Sequence, residues 1–216
     1  MTPLIVSIDG PAGTGKSTVA RGVARRLGLP HLDTGAFYRA ATLIALREGI
    51  DVEDGSAIAG AVRDSNLDLG DGFMYLDGED ISAAIRGPDI NSAVSAVSSH
   101  RQVRERLVAE QRRWVQTHGA SAVVDGRDVG SVVFPDAEVK IYLHARPEVR
   151  AARRAIETGQ DPALVLIEQE RRDAFDSTRA DSPLVVPEGA HVIDTNDLDI
   201  EGVIQRIVAL VDDESR

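Results

Sequence analysis

The chain contains no cysteine among its 216 residues. This excludes disulfide bonds, cysteine-ligated zinc sites and thiol catalysis, and it is typical of a protein kept in a reducing compartment. No apolar run has the length of a membrane helix or an export signal. The opening run of residues 4–8 is the length of a strand, and Asp9 follows it directly. We therefore expect a cytoplasmic protein that does not act at a membrane.

Positive charge is also scarce. Thirty-five acidic side chains against 24 basic ones give a net charge of −11, which disfavours nonspecific binding of nucleic acid through a broad basic face. Lysine occurs only at Lys16 and Lys140. A general drift from lysine to arginine explains most of this bias, but a lysine kept in a glycine-rich loop invites a chemical interpretation.

The order of apolar and polar segments predicts the fold class. A length of 216 residues with 43% hydrophobic content fits a single domain that needs no covalent or metal staple. Short apolar runs alternate with helical stretches, which predicts an α/β fold with a central parallel sheet. The predicted strands are Leu4–Ile8, Ser121–Val124, Val139–Leu143 and Ala190–Ile193. The predicted helices include Lys16–Leu27, Arg101–Thr117 and a last helix over 200–211.

Two segments interrupt this alternation. Residues 66–85 contain three short apolar runs separated by glycine-bearing turns, which predicts a small antiparallel unit inserted into the α/β body. Residues 145–182 are rich in arginine and acidic side chains, which is typical of solvated helices or a mobile arm.

Residues 10–17 match the phosphate-binding loop pattern of glycine, four residues, glycine, lysine and serine, with a strand before it and a helix after it. The glycines let backbone N–H groups point at phosphate oxygens, Lys16 reaches the β- and γ-phosphates, and the Ser17 hydroxyl binds Mg²⁺ directly. We expect ATP with Mg²⁺ here. The residues of this predicted ATP site are Gly10, Pro11, Ala12, Gly13, Thr14, Gly15, Lys16, Ser17 and Thr18.

Neither lysine lies in the base-reading motif of a GTPase, and a motor or a large ATPase needs more chain. A compact kinase with a small acceptor remains. Residues 32–39 and 125–128 follow strands, at the edge of an α/β sheet where ligands bind. Acid–arginine clusters recur there and at 171–179; singly they read as surface ion pairs, but together with a phosphate loop they predict an acceptor site.

The sequence resembles the bacterial cytidylate kinase family. The segments that carry the resemblance are Ile8–Pro11, the phosphate loop, Leu32–Arg39, Asp125–Asp128, Val132–Pro135 and Arg172–Leu184. The resemblance implies a P-loop nucleoside-monophosphate kinase fold in one kinase domain. Its parts would be a core of about 1–38, 97–144 and 183–216, an acceptor-binding insert of about 39–96, and an arginine-rich lid of about 145–182.

The resemblance also implies the reaction of ATP with CMP or dCMP, in a monomer that binds no nucleic acid. Lys16, Arg127 and Arg179 would be catalytic. Arg39, Arg127 and Arg179 would bind the acceptor phosphate, Asp176 with Arg172 the ribose, and Ser95, Arg104 and Asp128 the cytosine, with Thr34 as a further substrate contact. Planar guanidinium groups suit bidentate phosphate binding, which supports the three arginine assignments.

Some alternatives stay open at the level of sequence. Asp125 either orients Mg²⁺ through water or caps the turn at Gly126, and Asp9 either braces the loop or helps to organise the metal. A kinase for another nucleotide or for shikimate is the second interpretation. A nucleotide-controlled binding module without turnover is the third.

Overall fold

Eight strands, most of them short apolar segments, occur in the computed structural model, which describes residues 3–70, 72–179 and 181–214. The strands are β1 (Ile5–Asp9), β2 (His31–Asp33), β3 (Leu67–Gly70), β4 (Phe73–Leu76), β5 (Glu79–Asp80), β6 (Ala122–Gly126), β7 (Val139–His144) and β8 (His191–Asp194). All four predicted strands are confirmed, each within one or two residues of the predicted ends.

Eight α-helices lie in the same ranges: α1 (Lys16–Leu27), α2 (Thr34–Arg47), α3 (Gly55–Asp64), α4 (Pro88–Val97), α5 (Arg101–Thr117), α6 (Pro147–Thr158), α7 (Pro162–Thr178) and α8 (Ile200–Glu214). A short 3-10 helix covers Ala84–Arg86, and a wide helical turn covers Val129–Val133. The predicted helices are confirmed. Local capping sets several boundaries: Asp33 accepts from the Ala36 N–H at the start of α2, and Gly28 ends α1 in the left-handed region.

The larger sheet has the order β2-β6-β1-β7-β8. Strands β6, β1, β7 and β8 pair in parallel, with Ile5 opposite Ala122 and Val6 opposite Val139. The connection that follows β1 leads to β2 at one edge of the sheet, and the connection that follows β7 leads to β8 at the opposite edge. The carboxyl ends of β1 and β7 therefore form the topological switch point, where open α/β sheets bind ligands.

Compact packing divides the chain into two units, one of residues 1–31 and 118–216 and the other of 32–117. In the first, β1, β6 and β7 pack with α1 and α8 around Ile8, Val23, Ile141 and Ile207, all fully buried. Gly22 permits this packing, because a Cβ there would lie 2.2 Å from Cδ1 of Ile204.

The second unit contains the predicted antiparallel insert. Strands β3, β4 and β5 form a three-stranded antiparallel sheet within residues 66–85, as predicted. Trp114 of α5 is buried and donates from Nε1 to the carbonyl of Leu69 at 2.8 Å. This unit includes the whole segment of 39–96 predicted as the acceptor-binding insert, with residues on either side of it.

Residues 145–182 contain two helices, α6 and α7, which confirms helical structure for the arginine-rich segment. Both helices begin at proline, which is suited to a first turn because its missing N–H has no helical partner there. Most of their side chains are exposed or half-buried, as predicted for solvated helices, but Arg150 and Gln169 are buried, at 4% and 6% exposure. Within the described ranges, no helix combines the length and the apolar content that crossing a membrane requires.

Candidate active site

The phosphate loop follows β1 at the switch point and depends on glycine at two tightly enclosed positions. Gly10 has φ +148° and Gly13 has φ +77°, values that side chains disfavour. A Cβ at Gly10 would lie 2.3 Å from the carbonyl oxygen of Leu143, and one at Gly13 would lie 2.6 Å from Nε2 of Gln169. The backbone of β7 therefore excludes a larger residue at Gly10, whereas a larger residue at Gly13 would have a strained φ and would displace the end of the Gln169 side chain.

Helix α1 begins at Lys16, directly after Gly15 in the left-handed region. The first N–H groups of a helix have no partner within it, and its dipole attracts negative charge, so this end is suited to phosphate. Lys16 is 7% exposed, and its Nζ donates to the carbonyl of Pro11 at 2.6 Å. Burial lowers the pKa of Lys16 well below its ordinary value, and the charge of Arg127 acts in the same direction. A bound polyphosphate would favour its charged form.

Ser17, Asp125 and His31 form a hydrogen-bonded chain beside the loop. Ser17 Oγ donates to Oδ2 of Asp125 at 2.7 Å, and Nε2 of His31 lies 2.7 Å from Oδ1 of the same carboxylate. No group of three or more His, Cys, Asp or Glu side chains that could hold a metal ion occurs among residues 3–70, 72–179 and 181–214. The pair of hard oxygen donors nevertheless fits Mg²⁺, which usually takes one or two protein ligands and completes its shell with phosphate and water.

Asp9 braces the segment that follows β6. Its carboxylate accepts from the N–H groups of Val129 at 2.8 Å and Gly130 at 2.7 Å, at the start of the wide turn. Burial raises the pKa of Asp9 to about 7, against the opposing effect of these two hydrogen bonds. Asp128, the residue before the turn, is 4% exposed, and its carbonyl accepts from Val132 and Val133. Of the two interpretations of Asp9, the structure favours bracing.

Asp176 of α7 joins two of the predicted phosphate-binding arginines. Arg127 Nε donates to Oδ2 of Asp176 at 2.9 Å, and Nη1 of Arg179 lies 3.6 Å from Oδ1. Arg127 also donates to the carbonyl of Gly10 at 3.1 Å, so its guanidinium lies against the phosphate loop. Burial raises the pKa of Asp176, but the charges of Arg127 and Arg179, with a contribution from half-buried Arg172, outweigh it and lower the pKa.

A second acid–arginine pair was missed by the sequence analysis. Arg150 Nη1 donates to the carbonyl of Ala12 at 2.7 Å and to Oδ2 of Asp173 at 2.5 Å, while Oδ1 of Asp173 accepts from the Ala12 N–H at 3.2 Å. Both backbone groups of one loop residue are therefore held by α6 and α7. The one signal in the sequence was the position of Asp173 directly after Arg172, but no motif pairs residues 150 and 173.

The remaining predicted substrate residues lie in the second unit. Thr34 is buried at the first position of α2, and half-buried Ser95 lies in α4. Arg39 donates to Oδ1 of Asn91 at 2.6 Å and to the carbonyl of Ile85. Arg104 is 4% exposed, donates to the carbonyl of Ser98, and has its guanidinium carbon 5.1 Å from the centre of the Tyr38 ring. Tyr38 is a contact that sequence reasoning did not find.

Within the first unit, the fold thus brings Lys16, Ser17, Asp125, Arg127 and Asp176 to the surroundings of one loop. Arg179 joins them through Asp176. A nucleotide phosphate cradle, a hydroxyl–carboxylate pair and fixed guanidinium groups are the parts that phosphoryl transfer requires, because that reaction depends on positioning and on neutralising charge.

Comparison with known proteins agrees with this chemistry. The sequence model of the family described as cytidylate kinase matches residues 6–213. The chain is 49% identical to the cytidylate kinase of Rhodococcus opacus (strain B4), covering 98% of this chain and 96% of the relative. It is also 49% identical to the cytidylate kinase of Mycobacterium leprae (strain Br4923), covering 100% and 98%.

Among solved structures, an uncharacterized protein from Eubacterium ventriosum ATCC 27560 matches with a TM-score of 0.59 at 14% identity, over 100% of both chains. That likeness concerns the fold alone. The family match and the two relatives extend over nearly the whole length of the chain. The chain therefore belongs to the cytidylate kinase family.

Proposed function

We propose that this chain transfers the γ-phosphoryl group of ATP to CMP and dCMP in a direct, in-line displacement that requires Mg²⁺. The observation that carries the proposal is the arrangement around the phosphate loop. Within the first unit, Lys16 donates to the carbonyl of Pro11 in the loop, and Ser17 donates to Asp125. Arg127 donates to the carbonyl of Gly10, also in the loop. Relatives that share nearly half of the sequence over their whole length are named cytidylate kinase. Action as a monomer in the cytoplasm also stays a prediction.

The residues of the loop would hold the donor. Backbone N–H groups at the start of α1 would bind phosphate oxygens, and Lys16 would leave the Pro11 carbonyl for the β- and γ-phosphates. Ser17 would bind the metal directly, with Asp125 acting through water. Bound Mg²⁺ would neutralise the charge that develops on the transferred group.

The predicted acceptor contacts are proposals of the same kind. Arg127 and Arg179 are oriented by one carboxylate, so they need little reorganisation before they bind a phosphate. We assign the acceptor phosphate to these two arginines and Arg39. The remaining assignments are Asp176 and Arg172 for the ribose, Ser95, Arg104 and Asp128 for the base, and Thr34 as a further contact.

A panel assay of ADP formation tests the function. We expect turnover with CMP and dCMP, far less with UMP and AMP, and none with shikimate. Lys16→Ala should lower turnover by about 10²–10³, as expected when one preorganised contact is lost, while the thermal unfolding midpoint stays close to that of the wild type. ATP binding without any acceptor-dependent turnover would instead support a nucleotide-controlled binding module, and turnover with shikimate alone would support the other kinase.

The base assignment of Asp128 has a sharper test. Cytosine offers an amino donor where uracil has a carbonyl acceptor, and an ionised carboxylate can only accept. Asp128→Asn keeps the size and gains a donor, so the CMP-to-UMP ratio of kcat/KM should fall by about tenfold, consistent with about 1–3 kcal/mol for a mispaired buried group. An unchanged ratio in the folded variant would remove Asp128 from base reading.

A further inference from the structure

His31 shares a carboxylate with the proposed metal site. Asp125 is 2% exposed, and each of its oxygens has a partner at 2.7 Å: Ser17 Oγ on Oδ2 and His31 Nε2 on Oδ1. The His31 side chain is itself only 13% exposed, so water competes little for the contact. Ninety-four residues separate His31 from Asp125 in the chain, and their contact arises because β2 lies next to β6 in the sheet.

The direction of the Ser17 hydroxyl matters for metal binding. A serine can offer a lone pair to a cation only while its proton points elsewhere, and here the proton points to Oδ2 of Asp125. A carboxylate with one engaged oxygen can still turn about its Cβ–Cγ bond. The second hydrogen bond, from His31 to Oδ1, removes that freedom and keeps Oδ2 directed at Ser17.

A second histidine, His191, lies in a comparable place and provides a control that distinguishes a positioning role from packing. His191 begins β8 at the opposite edge of the same sheet, as His31 begins β2. Its Nε2 lies 3.6 Å from Oε1 of Glu214, with both side chains more than a third exposed. His191 therefore matches His31 in residue type and in position on a strand, but its partner carboxylate is an exposed side chain at the end of α8.

We propose that His31 is a positioning residue for the metal of the nucleotide complex, acting through Asp125 on the Ser17 hydroxyl. The proposal rests on the proposed function, because it requires a cation at Ser17. Partners that orient a metal ligand from behind typically change metal affinity by about 10–100-fold when they are lost. The acceptor nucleotide and its arginines take no part in this effect.

Binding of Mn²⁺ to the complex of the protein with ADP tests the role of His31 without turnover. Electron paramagnetic resonance of free Mn²⁺ gives the affinity directly. His31→Phe removes the donor, and we expect the Kd for Mn²⁺ to rise about tenfold. His31→Gln carries an amide whose N–H reaches about as far as Nε2, so its Kd should stay within about threefold of the wild type. His191→Phe should leave the Kd unchanged.

Activity supplies a second measurement. The Mg²⁺ concentration for half-maximal rate should rise in His31→Phe, whereas kcat at saturating Mg²⁺ should stay near the wild-type value. A purely structural role would lower the unfolding midpoint of His31→Phe and His31→Gln together and leave the Mg²⁺ dependence alone.

Three outcomes would overturn the proposal. The first is a His31→Phe variant that binds Mn²⁺ like the wild type, and the second is a His31→Gln variant as weak as His31→Phe. If His31→Phe does not fold, His31→Asn replaces it, because its shorter amide cannot reach Asp125. Mn²⁺ affinity like that of the wild type in His31→Asn would then also overturn the proposal. The third is a wild-type protein that adds nothing to the affinity of ADP for Mn²⁺, which would overturn the proposed metal site as well.

Discussion

Asp173 and Asp176 lie about one turn apart on α7, and each pairs with an arginine from another part of the first unit. Asp173 and Arg150 both also bind the backbone of Ala12 in the phosphate loop, and Nε of Arg150 donates to the carbonyl of Ala145 at 3.2 Å. Asp176 instead binds two side chains, Arg127 and Arg179. The Arg150–Asp173 pair fixes the backbone of the phosphate loop, whereas the Asp176 carboxylate holds two guanidinium groups near each other.

Helix α7 therefore serves two purposes. Guanidinium groups that bind backbone carbonyls have few ways to rearrange without leaving buried polar groups unpaired. Arg127 donates to one backbone carbonyl, that of Gly10, whereas Arg150 donates to two. The Nε of Arg127 is paired with the Asp176 carboxylate, and it can pass to a phosphate because one anion replaces another. We therefore expect loss of Arg127 to lower activity and loss of Arg150 to lower stability.

The largest expected effect is on the activity of Arg127→Met. This variant loses a fixed cation beside the loop, and kcat/KM for CMP should fall by about 10²–10³. Steady-state kinetics at saturating Mg-ATP measure it, with Arg26→Met as the control because Arg26 pairs with Glu201 at an exposed site. A fall of less than tenfold would contradict a direct role in phosphate binding, because Arg127 would then matter no more than a residue that only braces the loop.

The second effect is on the stability of Arg150→Met. The side chain of Arg150 is 5% exposed, and its loss leaves Asp173 without its cation and the Ala12 carbonyl without a donor. The free energy of unfolding should fall by about 3 kcal/mol, as expected for one partner of a buried ion pair. Urea unfolding of Arg150→Met, Arg127→Met and Arg26→Met measures it. If Arg127→Met is destabilised more than Arg150→Met, the roles of the two pairs are reversed.

The smallest effect concerns Asp9, a buried carboxylate held by N–H groups instead of a paired arginine. Its pKa of about 7 in the folded protein exceeds the ordinary value of 3.8. The stability it contributes is therefore complete below about pH 4 and is lost as the pH rises to about 7. The unfolding free energy of the wild type relative to Asp9→Asn should fall by about 2 kcal/mol between pH 5 and 7.

Urea unfolding of the two proteins at several pH values, without nucleotide, gives this difference. Asp176 provides the contrast, because its lowered pKa means that its contribution is present above about pH 4 and is lost in more acidic solution. A difference that does not change between pH 5 and 7 would show that burial does not dominate at Asp9.

The sequence predicted the elements of the fold well because their signals are local. The helix predicted at 101–117 is α5 residue for residue, the apolar period over 200–211 marks α8, and the loop pattern places Lys16 at the start of α1. The contacts of the candidate site were harder to predict. Arg150 reaches Ala12 across 138 positions and His31 reaches Asp125 across 94, so both depend on which strands and helices become neighbours. No local pattern distinguishes these two residues from the other arginines and histidines.

The position of β1 at the centre of the sheet has a consequence for synthesis of the chain. Both neighbours of β1 come more than a hundred residues later, at β6 and β7, and the loop after it is enclosed by Leu143, Arg150 and Asp173. The nucleotide cradle therefore cannot form before translation has passed Asp173. Such distant pairing slows folding, so we expect β1 and the loop after it to stay accessible to chaperones and proteases until α7 has emerged.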